Sequence, residues 1–393
     1  MSTLTRATLA ATKVTIKFGA VMDFNDTLHA IRREMGEQGI DLLLGFHDDV
    51  HFIEKPNAVM VLSGIKSLGY ALVILPRDDE GMLAVTPPWD AERAAERCPA
   101  MRSIGTDNIL NVLQAYLEHH HVPLSRVGTA GLAGMPWRIG EQLSAMLQGE
   151  ARSMDRMVFG SARRKTSEQL SKACMATRIA ERGYERLRQI ARPGMREDEL
   201  AVELKWHMKT LGAEDNFLML CAGSHNPAVQ PSSGRRLEVG DIILAEITPS
   251  YMGQMAQICR TAVIGPASES LKCGYELVVR SMEEGIAAAV AGATMAEVCR
   301  AIDSVIEAKG YGEYCRPPHI RRRGHGLGFG SNLPGDVSLD NAITLEADMF
   351  FVIHPNQYLP ETGYLLCGEP VLITANGAEV LSEHRASLAE ILA

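Results

Sequence analysis

The sequence has no uncharged apolar run of the eighteen or so residues that a membrane-spanning helix needs. The best candidate, residues 285–296, is shorter and rich in Ala and Gly. Residues 1–22 carry Lys13 and Lys17 and contain no clean hydrophobic stretch, so we expect no secretory signal there. These absences argue against a helical membrane protein and against a membrane partner.

Closely spaced cysteines are also lacking. The eight cysteines are scattered, and no two of them have the C-x-x-C spacing of a zinc or redox site. They stand at positions 98, 174, 221, 259, 273, 299, 315 and 367. Scattered thiols in a chain of this length are typical of a reducing compartment, and we therefore predict a cytoplasmic protein.

The chain has no excess of positive charge. Its 39 Lys and Arg against 48 Asp and Glu give a formal net charge of −9, which disfavours a surface that coats nucleic acid. Hydrophobic residues make up 46% and charged residues 22%, an ordinary globular composition that excludes disorder as the main state. A length of 393 residues corresponds to two or three domains.

The first part of the chain has an α/β pattern. Residues 24–38 show the spacing of an amphipathic helix, residues 41–45 that of a buried strand, and residues 58–62 and 70–75 are further apolar runs. Near residue 160 the sequence becomes polar and basic, and a long helical pattern follows. We therefore predict two domains, 1–160 and 161–393.

The second half contains an internal repeat. Gly194 and Gly292, Glu199 and Glu297, and Gly212 and Gly310 are pairs with the same offset of 98 residues. Each copy is a long helix, a glycine turn, a second amphipathic helix, a glycine and a strand. This pattern predicts a duplicated α+β domain with helices packed on an antiparallel sheet, and a cleft between its halves is a natural place for a site.

Polar residues interrupt strands that otherwise look like core. Glu246 follows the apolar run 242–244, His325 stands between two glycines, His354 ends the run 349–353, and Glu369 lies within 364–374. A buried carboxylate must be paired, liganded or protonated, and histidine suits proton transfer. The alternative for Glu246, an exposed position on an edge strand, remains open at this point.

Several landmarks occur together in this half. They are residues 164–168, Pro193 with Gly194, Gly240 with Asp241, Arg260 with Thr261, residues 324–328, and Asn376 with Gly377. In this order and spacing, residues 160–385 resemble the pita-bread family of creatinase, prolidase, aminopeptidase P and methionine aminopeptidase. The resemblance implies an α+β pita-bread domain preceded by a smaller α/β domain of the creatinase and prolidase type.

The resemblance also shows where the sequence departs from the family. The peptidases hold two metal ions with two Asp, one His and two Glu, and a second histidine follows downstream. The corresponding positions here are Glu246, Gln257, His325, His354 and one of Cys367, Gly368 or Glu369, with Asn332 in place of the second histidine. Two metal ions need several anionic oxygens, so we expect no dinuclear site and no cofactor. One ion on Glu246, His325, His354 and Glu369 is the alternative.

Creatinase is the metal-free branch that this pattern is most similar to. Its catalytic histidine corresponds to His225 within residues 223–227, although an alignment to the peptidases would instead place Gln230 there. We therefore expect a metal-independent hydrolase that cleaves a C–N bond of a small polar compound, with His225 as general acid and base. The other assigned groups are Glu246 and Glu369 to orient or stabilise charge, His325 and His354 to hold the oxyanion, and Gln257, Cys367, Asn332 and Phe52 to contact the substrate.

Three other functions compete with this hypothesis. They are a metal-dependent Xaa-Pro peptidase with unusual ligands, a lyase on the same fold, and a binding module that has lost catalysis. The resemblance further implies a homodimer in which residues 52–64 of one subunit close the cleft of the other.

Overall fold

The computed structural model describes residues 24–48, 57–330 and 333–392. Within them the chain forms ten α-helices and seventeen β-strands. None of the helices in these ranges is long and apolar enough to cross a membrane. Phe52 and Asn332, two of the predicted substrate contacts, lie outside the described residues.

The first half is a six-stranded mixed sheet with helices packed against it. The strand order is β4-β3-β2-β1-β5-β6. Its elements are α1 (Phe24–Glu37), β1 (Leu42–His47), α2 (Ala58–Ser63), β2 (Ala71–Pro76), β3 (Gly81–Val85), α3 (Ala91–Arg97), β4 (Met101–Gly105), α4 (Ile109–His120), β5 (Val127–Ala130), α5 (Trp137–Met146), β6 (Arg152–Ser153) and α6 (Asp155–Ser161). The predicted α/β pattern of this half is confirmed.

Residues 58–62 illustrate how an apolar run can be a buried helix. Asn57 accepts a hydrogen bond from the backbone N–H of Met60 and so caps α2, and Gly64 ends the helix in the left-handed conformation with φ of 71°. All six residues of α2 are buried. The run therefore lacks the spacing of apolar and polar residues by which an amphipathic helix is recognised in a sequence.

The second half contains the two sheets that form the site. Their strand orders are β17-β10-β8-β7, with β9 attached to β8, and β11-β12-β15-β16. The elements are α7 (Ser167–Ile190), α8 (Glu197–Thr210), β7 (Asn216–Gly223), β8 (Ile242–Tyr251), β9 (Gln254–Met255), β10 (Ile258–Ile264), α9 (Glu269–Ala288), α10 (Met295–Glu307), β11 (Gly324–Gly326), β12 (Phe350–Ile353), β13 (Gln357–Leu359), β14 (Gly363–Leu365), β15 (Glu369–Thr374), β16 (Gly377–Val380) and β17 (Ala389–Ile391).

The duplication is visible in the backbone. Gly194 and Gly292 have φ of 84° and 95°, a region that favours glycine, and they begin equivalent turns before α8 and α10. The N–H of Gly194 donates to the carbonyl of Leu237 at 2.8 Å, and that of Gly292 donates to Leu345 at 2.9 Å. The predicted repeat therefore corresponds to two copies of the same helix-and-strand unit.

The segment between the halves lies beneath the glycine-rich loop that carries His325. Lys165 is fully buried, its Nζ donates to the carbonyl of Ala162 at 2.8 Å, and burial lowers its pKa to about 7. Gly328 has φ of +113°, and a Cβ there would lie 2.7 Å from Cε of Lys165 and 3.0 Å from Oε1 of Gln254. Only glycine fits this approach, so Lys165 and Gln254 fix the course of the loop.

Candidate functional site

The pairing of β8 with β10 places four polar or sulfur-bearing side chains on one face. Cys259 is opposite Glu246 in the antiparallel register, and residues two apart on a strand share a face, so Thr248 and Gln257 are on the same side. The Thr248 hydroxyl donates to Oε1 of Gln257 at 3.1 Å, and Nε2 of Gln257 donates to Sγ of Cys259 at 3.5 Å. The Gln257 amide is therefore held by its neighbours.

The second half of the domain adds two histidines to this face. The rings of His325 and His354 meet edge to face with centroids 5.1 Å apart, and their exposed fractions are 2% and 6%. Cys259 and Gly368 exchange both backbone hydrogen bonds, at 3.1 and 3.2 Å. A Cβ on Gly368 would lie 2.6 Å from Cβ of His354, so His354 packs directly over this junction.

The pKa values of two cleft residues, Glu246 and His354, are shifted from their ordinary values. Glu246 is partly exposed at the cleft surface, yet burial of its carboxyl group raises the pKa to about 7, against a smaller opposing effect of Arg322. Burial lowers the pKa of His354 well below its ordinary value, and the electrostatic effects of His325 and Arg322 act in the same direction. At neutral pH the cleft thus holds a neutral His354 and a carboxyl group, that of Glu246, which readily exchanges a proton.

Arg322 is a member of the cleft that the sequence does not single out. Its Nη1 lies 2.9 Å from Oδ1 of Asp336, and Asp336 forms an antiparallel bridge with His325. Bridged residues project from the same face of a sheet, so Asp336 and the guanidinium that it binds are on the His325 side. The sequence signal, a run of three arginines, does not tell which of them turns toward the histidines.

Glu369 faces away from the cleft, which corrects its predicted catalytic role. The side chain is fully buried, and its Oε2 lies 3.1 Å from Nη2 of Arg260. Ser382 donates to the same oxygen at 2.5 Å, and the backbone N–H of Ala386 donates to Oε1 at 2.6 Å. These partners satisfy the carboxylate inside the fold, so its contacts are structural.

Cys367 also points away from the cleft, in contrast to its predicted contact with substrate. Its Sγ lies 3.5 Å from Sδ of Met282, and the residue belongs to the main hydrophobic core. Of the three candidates for the last family position, the one that meets His354 and Cys259 is therefore Gly368, which has no side chain.

His225 makes its contacts at a different place. The ring is exposed, its Nε2 lies 3.0 Å from the carbonyl oxygen of Pro360, and it meets the ring of Tyr358 at 5.8 Å. Gln230 is exposed as well, and its backbone N–H donates to Sγ of Cys221. Neither residue makes its contacts with Glu246 or the two buried histidines, so the structure does not assemble His225 with the other predicted catalytic groups.

The residues at the five family ligand positions do not fit a pair of metal ions. Glu246 is the one acidic side chain among them, because Gln257 and His354 are uncharged and Gly368 has no side chain. Within residues 24–48, 57–330 and 333–392, no three His, Cys, Asp or Glu side chains are grouped so as to hold a metal ion. Two divalent cations at short separation need more anionic oxygens than this set supplies.

The tight packing at Gly368 leads to a first prediction. We expect Gly368→Ala to destabilise the fold by about 1–3 kcal/mol, because the new methyl group would overlap His354 and Cys259. Urea unfolding of the variant and the wild type measures this difference. Gly160→Ala is the matched control, since a Cβ at Gly160 would meet no atom within 4 Å. Equal unfolding midpoints for Gly368→Ala and Gly160→Ala would contradict the packing argument.

Comparison with known proteins assigns the chain to a family. The profile of the family described as metallopeptidase family M24 matches residues 172–375, more than half of the chain. The protein belongs to this family. Fold and membership agree with the predicted resemblance, whereas a place in the metal-free creatinase-like branch is not confirmed.

Relatives are similar to the chain over almost its whole length. An Xaa-Pro dipeptidase of Pyrococcus furiosus is 25% identical over 363 residues, which cover 91% of this chain and 98% of the relative. The crystal structure of an X-Pro aminopeptidase from Thermotoga maritima MSB8 has a TM-score of 0.80 at 21% identity, covering 93% of this chain and 99% of that one. The prolidase from Pyrococcus furiosus has a TM-score of 0.75 at 25% identity, covering 90% and 99%.

These findings correct the functional prediction. The expected creatinase-like, metal-free hydrolase of a small polar compound is wrong, because two relatives that are similar over 91% of the chain are Xaa-Pro dipeptidases. The chain is a hydrolase of the M24 peptidase family, and the expectation that it is not a peptidase has no support. The substituted ligand positions are a weaker guide to the function of this chain than its similarity to these relatives over the whole length.

Proposed function

We propose that the protein is a peptidase that hydrolyses Xaa-Pro dipeptides in the cleft formed by Glu246, Gln257, His325 and His354. The observation that carries the proposal is the similarity to Xaa-Pro dipeptidases over 91% of the chain and 98% of the relative. The cleft adds groups suited to amide hydrolysis, namely a carboxyl group with a pKa near neutrality and two buried imidazoles.

Glu246 is the group best placed to transfer protons. With a pKa raised to about 7, a substantial fraction is ionised at neutral pH and can accept a proton from the attacking water. The same carboxyl group then gives the proton to the leaving nitrogen as the amide C–N bond breaks. This sequence of steps returns Glu246 to its starting state and releases one carboxylic acid and one amine.

His354 and Arg322 provide complementary electrostatics. The lowered pKa of His354 keeps its imidazole neutral, so one ring N–H can donate to the oxygen that becomes negative during attack. Arg322 contributes a fixed positive charge that acts on both Glu246 and His354. Gln257, whose amide is fixed by Thr248 and Cys259, presents an ordered wall to the substrate.

A second prediction concerns metal content. We expect the protein, after incubation with Mn²⁺ or Zn²⁺ and removal of free ions, to retain no more than one divalent ion per chain. The reason is that the family positions supply one carboxyl group, which cannot offset two divalent charges. Elemental analysis with a protein-concentration standard measures the ratio. Two ions per chain would show that ligands outside these positions complete a dinuclear site.

The third prediction tests the activity itself. We expect the protein to release free proline from a panel of Xaa-Pro dipeptides. Mass spectrometry measures the proline in parallel reactions, one with added divalent ions and one with a chelator. Xaa-Ala dipeptides with the same first residues are the matched substrates. Absence of proline release under both conditions, from a protein shown to be folded, would overturn the proposed function.

A further inference from the structure

A second concave site lies beside the cleft, on the outer side of the segment that leads to His325. Its volume is about 290 Å³, and it is bounded by α10, the 3₁₀ turn Gly312–Cys315 and the segments around residues 316–323 and 338–340. The charged residues of its wall are Arg316, Arg321, Arg322, Arg323, Asp303 and Asp340. We call this concavity the arginine pocket.

The buried wall of the arginine pocket holds a guanidinium that is not fully satisfied. Arg323 is 1% exposed, its Nε lies 2.7 Å from Oδ1 of Asp303, and its Nη1 donates to Oε1 of Gln357 at 3.0 Å. Its Nη2 is buried and has no hydrogen-bond partner among the described residues. A buried charged donor without an acceptor is costly, and this cost is relieved by a ligand that supplies an oxygen.

The charge balance of the pocket identifies the kind of ligand. Arg322 is paired with Asp336 and Arg323 with Asp303, which leaves Arg316 and Arg321 against Asp340, a surplus of one positive charge in a chain whose net charge is −9. Arg321 is exposed and forms no ion pair within the described residues, and the nearest acidic oxygen to Arg316, on Glu307, is 3.9 Å away. Asp340 is itself occupied, since it accepts a 2.6 Å hydrogen bond from Ser338. An oxyanion with several oxygens matches this surplus together with the buried donor of Arg323.

We propose that the arginine pocket binds a phosphate group, with Arg316 and Arg321 contacting it from the rim and Nη2 of Arg323 contacting it from the wall. A solvated basic loop would explain Arg316 and Arg321 equally well. It does not explain Arg323, a pocket-lining residue that is 1% exposed and whose Nη2 has no acceptor among the described residues. The arginine pocket borders the peptidase cleft, since Arg322 belongs to the wall of both, and the proposal does not depend on the proposed function.

A ligand here would be linked through Arg323 to the element that carries His354. The carbonyl of Arg323 accepts the backbone N–H of His354 at 2.9 Å, and Nη1 of Arg323 donates to the carbonyl of Pro355. The Arg323 side chain is therefore shared between the pocket and the turn after β12. Phosphate binding would tie this turn more firmly to the pocket.

The test is a calorimetric titration of inorganic phosphate into the full-length protein at constant ionic strength. We expect Arg321→Gln and Arg316→Gln each to weaken binding about tenfold, the usual worth of one charged hydrogen bond. Arg300→Gln is the matched control, because this exposed arginine is on α10 but outside the pocket wall. Unchanged affinity in Arg300→Gln, with losses in the other two variants, supports the site.

Three results would overturn the proposal. They are no phosphate binding by the wild type, equal affinity in the wild type and both rim variants, and an equal loss in Arg300→Gln, which would mean general attraction by surface charge. A crystal soaked in phosphate gives an independent readout, because the anion is expected against Nη2 of Arg323. Density for phosphate solely in the cleft beside His325 would count against the pocket.

Discussion

Replacing Glu246 by Gln is expected to lower kcat for an Xaa-Pro dipeptide by a factor of about 100 to 10,000, the usual contribution of a positioned general base. The substitution keeps the size of the side chain and removes its ability to accept a proton. Burial raises the pKa of Glu246 to about 7, so the group is matched to proton transfer at neutral pH in a way that an exposed glutamate is not. Initial rates at saturating substrate, compared with the wild type, measure the loss.

The control for this experiment is Glu379→Gln. Glu379 is exposed on β16, away from the cleft, and the substitution makes the same change of charge. Thermal unfolding of both variants shows whether any loss of rate arises from loss of folded protein. If Glu246→Gln retains a tenth or more of the wild-type kcat while folded, Glu246 is not the proton-transferring group.

Glu369→Ala is expected to destabilise the protein by about 3–5 kcal/mol, because it leaves the guanidinium of Arg260 buried without its carboxylate. Both members of this pair are almost completely enclosed, with exposed fractions of 2% for Arg260 and 0% for Glu369. The variant also deprives Ser382 and the N–H of Ala386 of their acceptor. Urea unfolding followed by circular dichroism measures the free-energy difference.

A double variant separates the ion pair from the other contacts. Arg260→Met with Glu369→Leu replaces both charges by apolar groups, and we expect it to be more stable than Glu369→Ala alone. Since Glu369 faces the fold and not the cleft, activity per folded molecule is expected to stay near the wild-type value. A stable Glu369→Ala protein without activity would restore the catalytic role that the sequence suggested.

The sequence was sufficient to predict the fold of the second half. The constant offset between Gly194 and Gly292 revealed the duplication, and the apolar runs that end in Glu246 and His354 located strands of the cleft. These features depend on local spacing, which the sequence shows directly. The boundary near residue 160 stays a prediction.

The sequence alone does not show which of the three residues 367–369 faces the cleft. A shift of one residue along a strand moves every side chain to the opposite face, and the sequence does not fix the register to that precision. The structure shows Cys367 against Met282, Gly368 against His354 and Glu369 against Arg260. The direction of Arg322 could not be predicted for a similar reason, since it depends on the pairing of Asp336 with His325.

The crowding at Gly368 limits which residues can occupy position 368. An acidic side chain at position 368 would need space that Cβ of His354 and the Cys259 side chain already fill. Such a side chain would therefore destabilise the fold at least as much as the methyl group of Gly368→Ala, unless the residues at positions 259 and 354 were smaller. A functional acidic group can thus be introduced at position 368 only together with compensating substitutions at Cys259 and His354.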